Sequence, residues 1–187
     1  MRRKRREDEP DQEPITLEEA KNHLRVHHDL EDALIESLIT AAREWCEDFQ
    51  NRAYLTQEWV LYFDELQYDV IRIPRPPLQQ VNSIVVVGAD DVQHDVTDYE
   101  VDDNPNPARL KINEYPAVDT RELSSLQIEY TAGHESPDDV SDKVKNAIKL
   151  LVGHWYKNRE AVVAGTVPRP LEMAVTSLLS QNRIMPI

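Results

Sequence analysis

Residues 71–87 read IRIPRPPLQQVNSIVVV, with prolines at 74, 76 and 77. Proline has no N–H to give and its ring clashes with a preceding turn. The stretch can therefore be neither helix interior nor one continuous central strand. It has to be two strands joined by a stiff connection. Around it, period-two segments recur. Trp59, Leu61 and Phe63 alternate with Val60 and Tyr62. Ile71 and Ile73, Val81–Val87, Tyr99–Val101, Ala108–Ile112 and Leu126–Tyr130 follow. Gly88-Ala-Asp-Asp91 has turn chemistry. About six short strands with turns between them predict a small antiparallel sheet or barrel.

On both sides the pattern is helical. Thr16 followed by Glu19 is a capping box and predicts a helix over 17–26. Asp29 reads as the cap of a second helix running to about residue 52. Leu30, Ala33, Leu34, Leu38, Ala41, Ala42, Trp45 and Phe49 form its apolar stripe, opposite Glu31, Asp32, Glu36, Glu44, Glu47 and Asp48. Ser136-Pro137-Asp138-Asp139 reads as a third helix start. That helix has an apolar stripe from Val140 to Trp155, a basic face of Lys143, Lys145, Lys149, Lys157 and Arg159, and a stop at Gly165. A fourth helix is expected over 170–182. The expected fold is α+β: a four-helix core, two helices from each end of the chain, with an inserted small antiparallel β domain. The boundaries are a charged arm 1–14, the helical core 15–56 and 136–182, the β domain 57–135 and a tail 183–187.

The 187 residues carry a formal net charge of −14. Residues 57–131 hold five basic and fifteen acidic side chains, most of the excess. Such a surface repels phosphates, which argues against a DNA-binding domain. The arm MRRKRREDEPDQEP has no apolar residue after Met1 and is expected to be solvated, ordered only by a neighbour. No apolar run reaches the roughly 20 residues of a membrane helix, and none follows the charged N-terminus as a secretory signal requires. One cysteine, Cys46, allows no intrachain disulfide and fits a reducing compartment.

The search for chemistry finds little. The four glycines are isolated, which excludes phosphate-cradling and dinucleotide loops. Cys46 sits beside an apolar stripe with no histidine to activate it. Glu19, His23 and His27 have one-face spacing for metal ligands but no partner set. His94, His134 and His154 are isolated. The acid pairs at 90–91, 102–103 and 138–139 fall in turns or a helix start, where Asp serves the backbone. Pro74–Pro77 satisfies a minimal PxxP pattern. No cofactor, metal or catalytic group is called for. The chain offers instead complementary surfaces: one long helix is acidic outside and another basic. Glu36, Glu44 and Glu47 against Lys143, Lys145, Lys149, Lys157 and Arg159 are the expected subunit contacts, in a head-to-tail arrangement that can close into a ring.

Several segments resemble the head–tail connector (adaptor) proteins of long-tailed bacteriophages. They are ITLEEAKNHLRV, LITAAREWCEDFQNR, IRIPRPPLQQVNSI with its following turn, Tyr99-Glu-Val-Asp102, LQIEYTAGHE at 126–135 and VKNAIKLLVGHWYKNRE at 144–160. The likeness spans about residues 15–182. Where the family has a proline near the start of its long C-terminal helix, this chain has Val140–Lys145, with Pro137 earlier. That implies a helix beginning a turn sooner. The arm before Ile15 lies outside the pattern.

The resemblance implies a structural virion protein, not an enzyme. It would be assembled in the host cytoplasm and form a ring, commonly dodecameric, beneath the portal in the virion neck. The ring would extend the DNA channel without binding DNA specifically and would dock a stopper or tail-completion protein. The C-terminal segment would reach the portal, making Leu178, Leu179, Arg183, Ile184, Met185 and Ile187 the docking candidates. The competing readings are an acidic binding module, as protein adaptor or DNA mimic, and a small metal-dependent enzyme using Glu19, His23 and His27.

Overall fold

The computed structural model describes residues 2–158 and 169–185, with the side chains of 2–3 and 169–172 left aside. Among them lie eight strands and four α-helices. The chain divides into two compact units. One holds the residues up to Asp11 together with Thr56–His134; the other holds Gln12–Leu55 and the residues from Glu135 onward.

The first unit is antiparallel β. Strands β1 (Arg2–Arg6), β2 (Gln57–Phe63), β4 (Leu78–Val87), β5 (Gln93–Asp95) and β8 (Leu126–Ala132) form a sheet in the order β1-β2-β8-β4-β5. A second sheet, β3-β7-β6, is made from Ile71–Arg72, Arg109–Ile112 and Tyr99–Asp102. Ile128 of β8 lies opposite Leu61 on one side and Ile84 on the other, and all three are buried. The connection containing Pro74, Pro76 and Pro77 falls between β3 and β4, as the missing N–H groups require. Its Arg75 has φ 60°, is buried, and stacks 5.1 Å from the Trp59 ring centroid. The strands expected from the sequence are there; what period two did not reveal is that they divide between two sheets.

The basic arm corrects the sequence reading. Arg2–Arg6 is not free in solvent: it pairs antiparallel with β2 along its whole length, from Arg2 opposite Phe63 to Arg6 opposite Trp59. A strand needs no apolar side chains where an edge offers it main-chain partners. Lys4 adds a cation over Trp59, 6.0 Å from its centroid. Deleting residues 2–6 is expected to bare the β2 edge and uncover Trp59. Stability should fall by under about 2 kcal/mol, because lost hydrogen bonds are offset by regained chain entropy. Self-association in analytical ultracentrifugation should rise, with tryptophan emission shifted to the red.

The second unit is helical: α1 (Leu17–Leu24), α2 (Asp32–Gln50), α3 (Asp142–Lys157) and α4 (Arg169–Leu179). The capping box is formed: Glu19 N–H donates to Thr16 Oγ1 at 3.1 Å, and Thr16 N–H to Glu19 Oε2 at 2.9 Å. The Thr16 backbone hydrogen bond, helped by Lys149, lowers the Glu19 pKa from its ordinary 4.5. The box therefore stabilises fully above the ordinary carboxylate range and fades as pH falls through the lowered value. Thr16→Ala is expected to cost about 1 kcal/mol near neutrality. That change keeps the residue-16 N–H on Glu19, so its Tm gap to the unaltered chain should hold as pH falls, whereas the gap for Glu19→Gln should narrow in acid.

Other boundaries move. α1 ends at Leu24, with Arg25 left-handed at φ 59°. Asp29 does not cap α2. Its carboxylate takes Lys21 Nζ at 2.6 Å, which holds it below the usual carboxylate range, and α2 begins at Asp32. Ser136 caps only a 3-10 turn over Pro137–Asp139. Val140 then runs extended with its side chain buried, and α3 starts at Asp142, later than the sequence implied. The expected stop at Gly165 lies outside the described residues.

The inward face of α2 overlaps the expected stripe at Leu38 and Ala42, with Leu34, Trp45 and Phe49 packed against the core beside it, and is shifted from the rest. Ile35, Leu38, Ile39, Ala42 and Cys46 are buried, while Leu30, Ala33 and Ala41 are exposed. The core of this unit joins those residues to Ile15, Ala20, Val144, Ala147, Ile148, Leu151, Val152, Val175 and Leu179. Arg43 is buried among them, 1% exposed. It donates from Nε to Glu13 at 2.9 Å and from Nη1 to Glu47 at 2.9 Å.

Candidate interaction surfaces

Several of the groups that could carry chemistry are committed to the fold. Cys46 is fully buried, and burial pushes its thiol pKa up, so it is neither nucleophile nor ligand. Because α1 stops at Leu24, His27 leaves the helix face that would have aligned it with Glu19 and His23. Glu19 already serves Thr16 and Lys149. Among the described residues no three His, Cys, Asp or Glu side chains gather as metal ligands. The acids at 90, 91 and 102 have partners of their own. Asp90 Oδ1 accepts from Val92 N–H, Asp91 meets Arg121 at 3.3 Å, and Asp102 pairs with Arg109, which lowers its pKa. Pro74–Pro77 is no displayed ligand: Arg75 and Pro76 are buried, and Arg75's positive φ is incompatible with a polyproline helix. A groove of about 600 Å³ opens beside Pro14, Ile15, Leu17 and Ile39. Of its four acids, Glu13 is held by Thr40 and Arg43, and Glu19 by Thr16 and Lys149.

Of the acidic residues expected at a subunit contact, Glu36 is exposed and Glu44 half-buried. Glu47 is a correction. At 3% exposure its carboxylate holds Arg43 and accepts the Tyr54 N–H at 2.7 Å, so it faces the interior. On α3, Lys143 donates to Gln181, Lys145 is half-buried, Lys149 meets Glu19 at 3.0 Å, and Lys157 is exposed. Arg159 lies outside the described residues. Much of the basic face is thus turned to its own chain, a pairing that linear spacing cannot show.

The C-terminal candidates also separate. Leu179 is fully buried and its carbonyl accepts from Gln50 Nε2 at 2.5 Å, so it is core, not a docking residue. Leu178 is half-buried. The tail folds back on the end of α2: Ile184 N–H donates to Gln50 O at 2.9 Å, Asn51 Nδ2 to Ile184 O at 2.8 Å, and Arg52 Nε to Asn182 O at 2.7 Å. Arg183 stacks 4.6 Å from the Phe49 centroid, and Met185 is 69% exposed. Ile187 lies outside the described residues. Sequence reasoning missed Arg43 and the tail's anchor, since neither has a linear signature beyond a charged residue inside an apolar run.

No curated protein matches the sequence significantly. Solved structures do match in fold. The neck of an empty gene transfer agent particle, computed with C6 symmetry, contains a chain with TM-score 0.81 and 20% identity, covering 99% of this chain and 97% of that one. The virion of a native gene transfer agent particle contains one at TM-score 0.79 and 19% identity, covering 98% and 96%. The neck of the native particle computed with C12 symmetry contains one at TM-score 0.72 and 21% identity, covering 91% and 89%. The model of the family described as head completion protein matches residues 13–167. The resemblance to head–tail connector proteins read in the sequence agrees with it. On that match, spanning most of the sequence, the chain belongs to the head completion protein family.

Proposed function

We propose that the chain is a structural protein of the neck of a tailed virion or phage-like particle. Copies of it form a ring beneath the portal, continue the DNA channel and present a surface to the next neck or tail protein. The observation that carries this is the full-length likeness in fold to a component of a neck described with six- and twelvefold symmetry. Family membership over residues 13–167 supports it. In this reading the helical unit makes the ring and the sheet unit is the docking module. Acidic residues near the lumen keep the genome mobile, over a reach of about 8 Å at physiological salt.

The test is a particle assembled without the chain. Heads should fill with DNA and then leak it or stay tailless, and adding the purified protein should restore joining. Mature, infectious or transfer-competent particles that lack the chain entirely would end this reading.

A further inference from the structure

Four of the eight large apolar side chains that are exposed among the described residues stand on loops at one end of the sheet unit: Tyr68, Val70, Val92 and Leu123. The strand registers bring these loops together. Phe63, where β2 ends, lies opposite Leu126, where β8 begins, and Leu126 lies opposite Val86 near the end of β4. The loops are also fastened to one another. Ser124 N–H donates to Asp64 Oδ1 at 3.0 Å, and Ser125 Oγ to the Asp64 carbonyl at 2.8 Å. Gln67 N–H donates to the Tyr115 hydroxyl at 3.1 Å, and the Tyr68 and Tyr115 rings meet edge to face, 5.4 Å between centroids. Ala89 N–H donates to the Asp119 carbonyl at 2.8 Å, and Arg121 holds both Asp91 and the Ser124 carbonyl. On this braced frame Tyr68 is still 75% exposed and Leu123 66%. Apolar groups so displayed, with polar residues around them, mark interaction sites, and a frame fixed in advance leaves little to be ordered on binding.

Charge states what the partner must carry. Residues 64–70, 88–92 and 113–125 hold eight Asp or Glu and one basic residue, Arg121. Arg121 is engaged, whereas Glu65, Asp69, Asp119 and Glu122 are exposed carboxylates with no ion pair or side-chain hydrogen bond among the described residues. Such a rim repels phosphates, which sets nucleic acid aside. Two copies meeting through this same end would oppose carboxylate to carboxylate. Several basic groups that a second copy could bring instead are occupied: Arg5 and Arg6 meet Glu7 and Glu9, and Lys149 meets Glu19.

We propose that this end of the sheet unit is the docking face for a different protein of the particle, one that presents apolar side chains ringed by lysine or arginine. The inference rests on the reading of the sheet unit as the docking module, and adds where on it the partner sits and what chemistry the partner has. Tyr68 and Leu123 are the anchors, and a tyrosine ring suits that role because it is large and rigid. The unanswered carboxylates steer the approach and fix the orientation.

The test is made in assembling particles with the full chain. One variant, Tyr68→Ser with Leu123→Ser, removes the anchors. Another, Glu65→Lys with Asp69→Lys and Glu122→Lys, reverses the rim. All five sites are exposed, so circular dichroism and the amount of chain on purified heads should not change. Joining of tails to those heads should fall at least about tenfold in each variant, through lost apolar contact in the first and like charge across the contact in the second. Added NaCl should soften the second defect and not the first, because only charge is screened. A photoreactive benzoylphenylalanine in place of Tyr68 should crosslink, in mature particles, to a protein other than this chain and within a few residues of a lysine or arginine. Normal joining by either variant, loss of the chain from heads, crosslinks confined to copies of this chain, or no crosslink at all would overturn the docking face and leave the neck reading standing. Mature particles that lack the unaltered chain would overturn both.

Discussion

Arg43→Met is expected to destabilise the protein by about 3–5 kcal/mol, the cost of leaving a buried charge without its partner. Arg43 and Glu47 are both nearly inaccessible, and the guanidinium holds Glu13 and Glu47 together. Burial opposes the charge on Arg43, but the two carboxylates outweigh it and raise its pKa further. From Glu47 the polar chain continues to the Tyr54 N–H, from the Tyr54 hydroxyl to Gln50, and from Gln50 to the Leu179 carbonyl. This network thus ties the segment before α1, the body of α2, the link after it and the end of α4. For a chain of this size the loss should appear as a Tm drop of about 6–20 °C. Adding Glu47→Gln should recover a large part of it. That change removes the stranded charge and keeps an acceptor for Tyr54, whereas the single change strands a carboxylate. A single variant whose Tm stays within a degree or two of the original would show that the buried pair contributes little.

Ile128→Ala is the second large effect, expected at about 2–5 kcal/mol. Ile128 is fully buried on β8, the strand between β2 and β4, and faces Leu61 and Ile84 across the two ladders. Truncation there leaves a void that neighbours on both sides cannot fill, because their rotamers are fixed by packing with each other. Val101→Ala, on a side chain 42% exposed, should stay within about 0.5 kcal/mol. Urea unfolding of the pair of variants checks the contrast. Equal midpoints would mean that the sheet interior is loosely packed at β8.

How far each of these sites could be read in the amino-acid order follows from the range of the interactions involved. The capping box, the proline connection and the turn at Gly88 were legible, because each depends on residues within four positions of one another. The alternation in β2 and β8 was legible because neighbouring side chains on a strand point to opposite faces. The edges of the inward face on α2 were legible only in part. Of the expected stripe, Leu38 and Ala42 are buried and Leu34, Trp45 and Phe49 pack against the core, while Leu30, Ala33 and Ala41 are exposed, and periodicity does not fix where the buried face ends. The same limit hid Glu47, whose acidic neighbours suggested a solvated side until the fold placed Arg43 and Tyr54 against it. The arm was misread for a related reason. Five consecutive basic residues contain no hydrophobic signal, yet an open sheet edge asks only for main-chain groups.

The order of residues by itself determined the types of the helices and of most strands, the break at the prolines and the acidic excess of the β segment, since all of these are local or additive. Tertiary structure alone decided where the inward face of α2 ends, which lysines answer to acids of their own chain, where the N-terminal strand docks and what anchors the tail. Those outcomes depend on contacts between residues far apart in the chain, such as Gln50 with Leu179, and their energies exist only once the chain has closed on itself.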